Sequence, residues 1–239
     1  MRKFFDYSWW KDATVATTGT ILGIILTFGT TGYLEDRQQK LMADKTVKLA
    51  IHNLDASISN MEKLVEEMKQ NDSIYHRAVA LMPDSLKMMS IDSLQMIVSS
   101  FGSRRYYITD NSTKEIFSSS FEVWQNLDDL KVIGRIGNCY SILNTCSKEY
   151  DRMSDITNQA HFEFIKERLP EDYPSTEEAV KAFLNRHDVI YALEWYGQLT
   201  NTLDNLVELA RQLNERNKED LGIGQEELDE IGKLLEENK

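Results

Sequence analysis

The sequence predicts an all-α protein, in which a single N-terminal transmembrane helix continues into a bundle of long helices with short covering helices. Three observations predict this class. Residues 13–34 carry no charged side chain, two later segments show coiled-coil spacing, and none shows the sustained period-two alternation that is typical of strands. We expect four parts: a tail at 1–12, the span at 13–34, a bundle at 35–218, and an acidic tail at 219–239 with a short exposed helix from Gln225.

The charge-free segment from Ala13 to Leu34 is predicted to cross the bilayer once. A helix of this length rises roughly 33 Å, which is enough for the hydrocarbon core. Trp9, Trp10 and Tyr33 flank it, as interfacial aromatic residues flank membrane spans. The alternative is a cleaved signal peptide, but the apolar run passes into a helix-forming segment without a small-residue cleavage site. We therefore expect an uncleaved anchor in the lipid bilayer.

The flanks of the span predict its orientation. Arg2, Lys3 and Lys11 precede it, whereas Glu35 and Asp36 follow it directly. The positive-inside tendency then places the N-terminus in the cytoplasm and the C-terminal domain in the periplasm, with the span in a bacterial inner membrane. The whole chain has 39 acidic against 27 basic residues and a net charge of −12. This balance disfavours nucleic acid as a partner.

Small residues on the span predict membrane-helix packing. Gly19 and Gly23 form a GxxxG pair, and Thr20 and Thr27 lie a heptad apart. Such spacing lets two helices approach closely in the bilayer, so we expect a homo-oligomer or contact with another membrane protein. The alternative, that glycine and threonine are simply common in bacterial spans, stays open.

Two apolar seams with alternating steps of four and three residues predict the bundle core. The first seam consists of Val47, Ile51, Leu54, Ile58, Met61, Val65 and Met68. The second seam consists of Ala192, Tyr196, Leu199, Leu203, Leu206, Ala210 and Leu213. Each seam could pair with a second copy of the chain. Since the chain contains other helices to pack against, we expect the two seams to pack on each other within one chain.

Start and stop signals divide the second half of the chain into two long helices. Ser175 and Glu178 form a capping box, which predicts a helix over about 176–218. Before it, a helix is predicted over about 126–169, where Pro170 ends it. The connector is short, so we expect these two helices to form an antiparallel hairpin.

The segment 71–127 is the least regular part of the chain. Gly102 ends a predicted helix over 91–101, and Ser112 with Glu115 caps a second short helix. These elements are expected to cover one end of the bundle.

Residue types and spacings predict no catalytic, cofactor or metal site. The four histidines lack metal-ligand spacing and are expected to be ordinary surface or boundary residues: His52, His76, His161 and His187. Cys139 and Cys146 lie about 10 Å apart along one predicted helix, beyond disulfide reach. We expect buried small side chains there, with an intermolecular bridge as the alternative.

Three tripeptides with the pattern Asp-Ser-aliphatic begin at Asp72, Asp84 and Asp92. They resemble the acceptor pattern of a periplasmic O-glycosylation system in some Gram-negative bacteria. Their clustering agrees with a periplasmic domain.

The layout of the chain resembles an uncharacterised family of single-span bacterial membrane proteins of roughly this length. The resemblance is carried by GIILTFGTTGYLEDRQQK over 23–40, by FEVWQNLDDLKVIGRIGNCYSIL over 121–143, and by the final helical arm. It implies an architecture and no activity, since that family has no established functional residues.

Two classes of function follow from these features. The first is a membrane-tethered interaction or assembly subunit without catalytic activity. The second is a periplasmic bundle that senses a small ligand between its helices and relays through a partner membrane protein. The 12-residue tail cannot form a signalling domain, so we favour the first class.

Overall fold

The computed structural model describes the backbone of residues 7–81, 86–102 and 130–237, and the side chains of residues 37–81, 86–102 and 130–233. Within these ranges every regular element is a helix, which confirms the all-α class. The α-helices are α1 (Tyr7–Leu81), α2 (Ile91–Phe101), α3 (Leu130–Glu167), α4 (Thr176–Leu184), α5 (His187–Leu221) and α6 (Gln225–Glu237). Short 3-10 turns lie at Leu86–Met88 and Pro170–Asp172.

Three long helices, α1, α3 and α5, form the bundle, and α5 runs antiparallel to the other two. Against α1, Lys69 pairs with Asp204, and Asp55 pairs with Lys218. Against α3, Arg135 donates to the Asn217 side-chain oxygen, and Cys139 donates to the Ala210 carbonyl. Residue numbers that increase along α1 and α3 therefore lie beside residue numbers that decrease along α5. The two long helices α3 and α5 pack antiparallel, as predicted, but the separate helix α4 lies between them in the chain. The helical bundle is confirmed.

The seam residues of α1 lie in the core of one chain. All seven, from Val47 to Met68, are buried there, and α1 packs along α5. On α5 the residues Ala192, Tyr196, Leu199, Leu203 and Ala210 are buried, whereas Leu206 and Leu213 are only half-buried at its edge. Val207, Asn214 and Asn217 are buried in addition. Because α5 packs against both α1 and α3, its buried stripe is wider than a heptad seam and follows the 3.6-residue period.

The prediction of one helix over 176–218 is wrong, because the chain breaks at Asn185 and Arg186. Ser175 is the N-cap, as predicted: its hydroxyl accepts a hydrogen bond from the Glu178 amide at 3.2 Å. However, α4 ends at Leu184, and Arg186 is extended with φ −76° and ψ 138°.

Side-chain contacts explain why the helix breaks at this point. The Arg186 guanidinium forms two hydrogen bonds of 3.0 Å to Asp188 and an ion pair of 2.7 Å to Glu167 at the end of α3. The Asp188 carboxylate accepts a hydrogen bond from the Val189 amide, which satisfies one free donor of the new helix start. These bonds fix the start of α5 to the end of α3.

The short helices α2 and α4 pack together over the end of the bundle that lies farthest from the N-terminus of α1, here called the distal end. Ser90 caps the start of α2. Gly102 ends this helix, as predicted. The Phe183 ring meets the rings of Phe101 and Phe164 edge-on, at 5.1 and 5.0 Å between centroids. Such edge-to-face pairs add to apolar burial and fix how α4 lies on the bundle.

The C-terminal helix starts at Gln225, as predicted, but it is only partly exposed. Gly222 ends α5 with a left-handed φ of 64°, and the Ile223 amide bonds to the Lys218 carbonyl at 3.0 Å. This arrangement closes α5 and turns the chain back toward α1. Leu228 and Ile223 are buried, and Lys48 pairs with Glu227 at 2.6 Å.

Several predictions fall on residues that lie outside those described. They include the packing residues of the span, Gly19, Thr20, Gly23 and Thr27, whose side chains are not among those described, and the capping box at Ser112. Among the residues whose side chains are described, no helix has a stretch long and apolar enough to cross a membrane.

Candidate partner-binding groove

The cysteine thiols and the possible metal ligands are the first candidates for reactive chemistry among the described residues. No cluster of three or more metal-binding side chains occurs in that part of the chain. Cys139 and Cys146 are buried and unbridged. Burial raises the pKa of the Cys139 thiol to about 12 and that of Cys146 to about 11, so both stay protonated and poorly nucleophilic at neutral pH. Both act as small core residues.

A groove of about 240 Å³ opens at the distal end of the bundle, and we call it the distal groove. It lies where the last turns of α1 meet the end of α4 and the first turns of α5. Its lining residues are Asp72, Tyr75, His76, Val79, Leu184, Asn185, Ile190, Leu193 and Glu194.

The helical period explains why α1 contributes four of these side chains. Asp72, Tyr75, His76 and Val79 are spaced i, i+3, i+4 and i+7, so they share one face of the helix. Tyr75 is buried at the base of this face, whereas Val79 is 46% exposed. The helix thus presents an apolar wall with a carboxylate at one end.

The break at Asn185 explains why the groove stays open on its other side. A continuous helix over 176–218 would carry the chain straight past this corner. Instead α4 ends on buried Leu184, and α5 restarts with Ile190 and Leu193 facing α1. Ile190 is 44% exposed and forms the wall opposite Val79.

Asp72 is the most unusual charged group of the groove. Burial raises the pKa of Asp72, and nearby His76 offsets part of this effect. The His76 Nε2 atom lies 3.5 Å from Asp72 Oδ1, but the His76 side chain is 75% exposed against 21% for Asp72. Among the described residues, no other basic side chain lies within ion-pair distance of Asp72.

Gly197 provides the space for the Asp72 carboxylate. A β-carbon at position 197 would lie 3.0 Å from Asp72 Oδ1, closer than ordinary van der Waals contact. A glycine inside α5 costs about 1 kcal/mol relative to alanine. The close neighbour of Gly197 is therefore this carboxylate.

Tyr75 also lines a small polar cavity of about 40 Å³ between the helices. The Tyr75 and Ser100 hydroxyls are hydrogen-bonded to each other, and Asn71 donates to the Tyr196 hydroxyl at 3.5 Å. Burial raises the pKa of Tyr75 to about 12, so its hydroxyl stays protonated. The cavity has room for roughly one to three waters and is too small for a metabolite.

A second open groove, of about 530 Å³, follows α1 and α5 and is strongly acidic. Its acidic lining residues are Glu62, Glu66, Glu67, Asp204 and Glu208. Lys69 lies 2.8 Å from Asp204, and Arg211 lowers the pKa of Glu208 to about 2. These carboxylates are solvated and partly neutralised by neighbouring basic side chains. We therefore describe this groove as an acidic face of the bundle and not as a specific binding site.

A third groove, of about 420 Å³, lies between α2, α4 and the end of α3. His161 packs against Gly102 there, and burial lowers its pKa. A neutral histidine at this junction fits a packing role. Among these three grooves, the distal groove alone joins exposed aliphatic walls to a half-buried carboxylate.

Comparisons with protein-family models, with curated proteins and with solved structures found no match to this chain.

The predicted seam residues pack in the core of the bundle, and none of them lines the distal groove. Sequence reasoning did not identify Asp72, Val79 and Ile190 as residues of a groove; Asp72 was named only in the Asp-Ser-aliphatic pattern. The spacing of Asp72, Tyr75, His76 and Val79 and the glycine inside α5 were visible in the sequence. The break at Asn185, which opens the groove, was not foreseen.

Proposed function

We propose that this protein is a membrane-tethered helical interaction subunit of a bacterial inner-membrane complex and has no catalytic activity. Residues 13–34 serve as its anchor, with the N-terminus in the cytoplasm and the bundle in the periplasm. The charge-free sequence of this segment, its aromatic flanks and the basic tail support this arrangement. Gly19 and Gly23 offer a face for a second copy or another membrane protein.

The distal groove is the observation that carries the proposal. Single exposed apolar residues are ordinary on a protein surface. Here Val79 and Ile190 face one groove and are backed by buried Tyr75 and Leu184, so aliphatic surface is concave and preformed. A preformed apolar recess of this kind suits the anchoring side chain of a partner.

The size of the groove favours a partner protein over a metabolite. Small-molecule sites usually have volumes of about 300–1,000 Å³ and bury most of the ligand. The distal groove has about 240 Å³ and opens to solvent, which is enough for one or two side chains. From Leu34 to Asp72 the helix rises roughly 57 Å, so the groove stands well clear of the bilayer surface.

Site-specific photo-crosslinking in intact bacterial membranes tests this function. A photoreactive amino acid is placed at Ile190 or, as a matched control, at Leu209, which lies on the same helix and is also 44% exposed. We expect a discrete crosslinked product with another envelope protein at Ile190 and none at Leu209. Equal patterns at both positions, or no product at Ile190, would contradict the proposal.

A further inference from the structure

We propose that the distal groove recognises a basic, aliphatic segment of a partner protein, whose lysine or arginine pairs with Asp72 while an aliphatic side chain lies between Val79 and Ile190. This inference rests on the proposed function and specifies the partner chemistry of the same groove.

The charge of the groove argues for a cation. Two carboxylates, Asp72 and Glu194, line it, against the single basic side chain of His76. An exposed pair such as His76 with Asp72 contributes little in water, and a histidine carries a full charge only when protonated. The groove therefore presents negative charge that its own residues do not balance.

The position of Asp72 indicates that its negative charge is a fixed part of the groove. The carboxylate is only 21% exposed, and it packs against the bare backbone of Gly197. Its pKa is raised because burial disfavours the ionised form. An incoming ammonium or guanidinium would restore the lost hydration with charge-assisted hydrogen bonds, which are stronger than neutral ones.

The walls argue for an aliphatic neighbour of that cation. Val79 and Ile190 are large, exposed and flank the recess above Tyr75, Leu184 and Leu193. Covering them removes apolar surface from water, which favours binding in proportion to the area. A free metal ion or a purely polar ligand would leave these walls exposed.

Three blocked tripeptides test the inference on the full chain in zwitterionic-lipid nanodiscs. The peptides are Leu-Lys-Leu, Leu-norleucine-Leu and Leu-Glu-Leu, so that the first two differ mainly by the ammonium group. Binding is followed by methyl NMR shifts of Val79, Ile190 and Leu193. We expect saturable shifts with the lysine peptide, about fivefold to tenfold weaker binding of the norleucine peptide, and no saturable binding of the glutamate peptide.

Two variants separate the role of Asp72 from general electrostatics. Asp72→Asn should weaken the lysine peptide to the level of the norleucine peptide. Glu62→Gln, which removes an exposed carboxylate of the acidic face, should leave binding unchanged within about twofold. Equal loss in both variants would assign the effect to net charge and overturn a specific role for Asp72.

The outcomes of the two experiments are distinguishable. If the lysine and norleucine peptides bind equally, or if no peptide shifts the groove methyls, the inference on partner chemistry is wrong. A crosslink at Ile190 but not at Leu209 would then still support an interaction subunit with a different kind of partner.

Discussion

At the scale of single residues, Gly197 and Asp72 are in contact, and each explains why the other residue type is found at its position. A glycine inside a long helix is unfavourable, and a half-buried carboxylate with one exposed histidine beside it is unfavourable too. A β-carbon built at position 197 would lie only 3.0 Å from Asp72 Oδ1. Residues that reduce stability in this way are typical of binding sites.

Alanine at Gly134 and at Gly197, two glycines inside long helices, should separate intrinsic helix preference from this contact. At Gly134 no atom lies within 4 Å of a β-carbon, so Gly134→Ala should raise the unfolding free energy by about 0.5–1 kcal/mol. At Gly197 the β-carbon must displace Asp72, so Gly197→Ala should gain less. Urea unfolding of the full chain in nanodiscs measures both, and an equal gain would show that Asp72 moves freely.

The pH dependence of Asp72→Asn should reveal the strain at this carboxylate. Because the pKa of Asp72 is raised in the folded protein, its contribution to stability is present below its ordinary value of 3.8 and is lost as the pH rises through the raised value. Asp72→Asn should therefore unfold at a higher urea midpoint than the natural protein at pH 7, and the two midpoints should converge near pH 3. A constant difference across this range would contradict the assignment.

At the scale of helices, the register of α1 against α5 decides which residues are energetically coupled. Asp55 bonds to Asn214 at 2.7 Å, and Lys69 pairs with Asp204 at 2.8 Å. From position 55 to position 69 a helix rises roughly 21 Å. Leu54 and Leu203, although both are fully buried seam residues, therefore lie far apart along the bundle.

Leu54→Ala and Leu203→Ala should each lower the unfolding free energy by about 2–5 kcal/mol, through lost apolar transfer and the cavity left behind. Because the sites are distant, the double variant should equal the sum within about 0.5 kcal/mol. Val65 and Val207, which line one groove, serve as the contrasting pair and should show coupling. Strong coupling between Leu54 and Leu203 would contradict the register.

Replacing Arg186, at the break between α4 and α5, should destabilise the protein more than replacing the arginine of an ordinary surface ion pair. The Arg186 side chain is 19% exposed and joins α3 to α5, and Arg186→Gln should lower the unfolding free energy by about 1–2 kcal/mol. Arg211, which binds Glu208 with two comparable hydrogen bonds but is exposed, is the control. Chemical denaturation should find no measurable change for Arg211→Gln, and equal effects would refute the special role of Arg186.

The long helices were predictable from sequence because their signals are repeated many times along each helix. Seven seam positions on α1 agree with one another, so a single exception would not change the prediction. The break at Asn185 is held by bonds of Arg186 to nearby Asp188 and by its ion pair with Glu167 at the end of α3. No local sequence pattern records the contact with Glu167. The distal groove follows from that break, which is why Val79 and Ile190 were not foreseen.

At the scale of the whole molecule, topology is the property that the proposed function depends on most. A periplasmic bundle requires the chain to cross the membrane at 13–34 with the basic tail inside. The buried state of Cys139 and Cys146 makes a labelling test simple, since neither thiol is accessible in the folded protein.

A cysteine in place of Lys239 should react with a membrane-impermeant maleimide once the outer membrane is opened. No further labelling is expected after the inner membrane is permeabilised. The same substitution in a chain without residues 1–34 controls for a cytoplasmic location. Labelling of the full chain only after inner-membrane permeabilisation would reverse the proposed orientation.

Because α1 is one unbroken helix, a tilt at one end of it displaces the other end. One helix of 75 residues runs from Tyr7 to Leu81, so the proposed anchor and the groove share a single backbone rod. Membrane spans tilt by about 20° on average, and such a tilt swings a point roughly 57 Å along the rod sideways by roughly 20 Å. A change of tilt of this size at the proposed anchor would move the groove far enough to meet or leave a neighbouring protein.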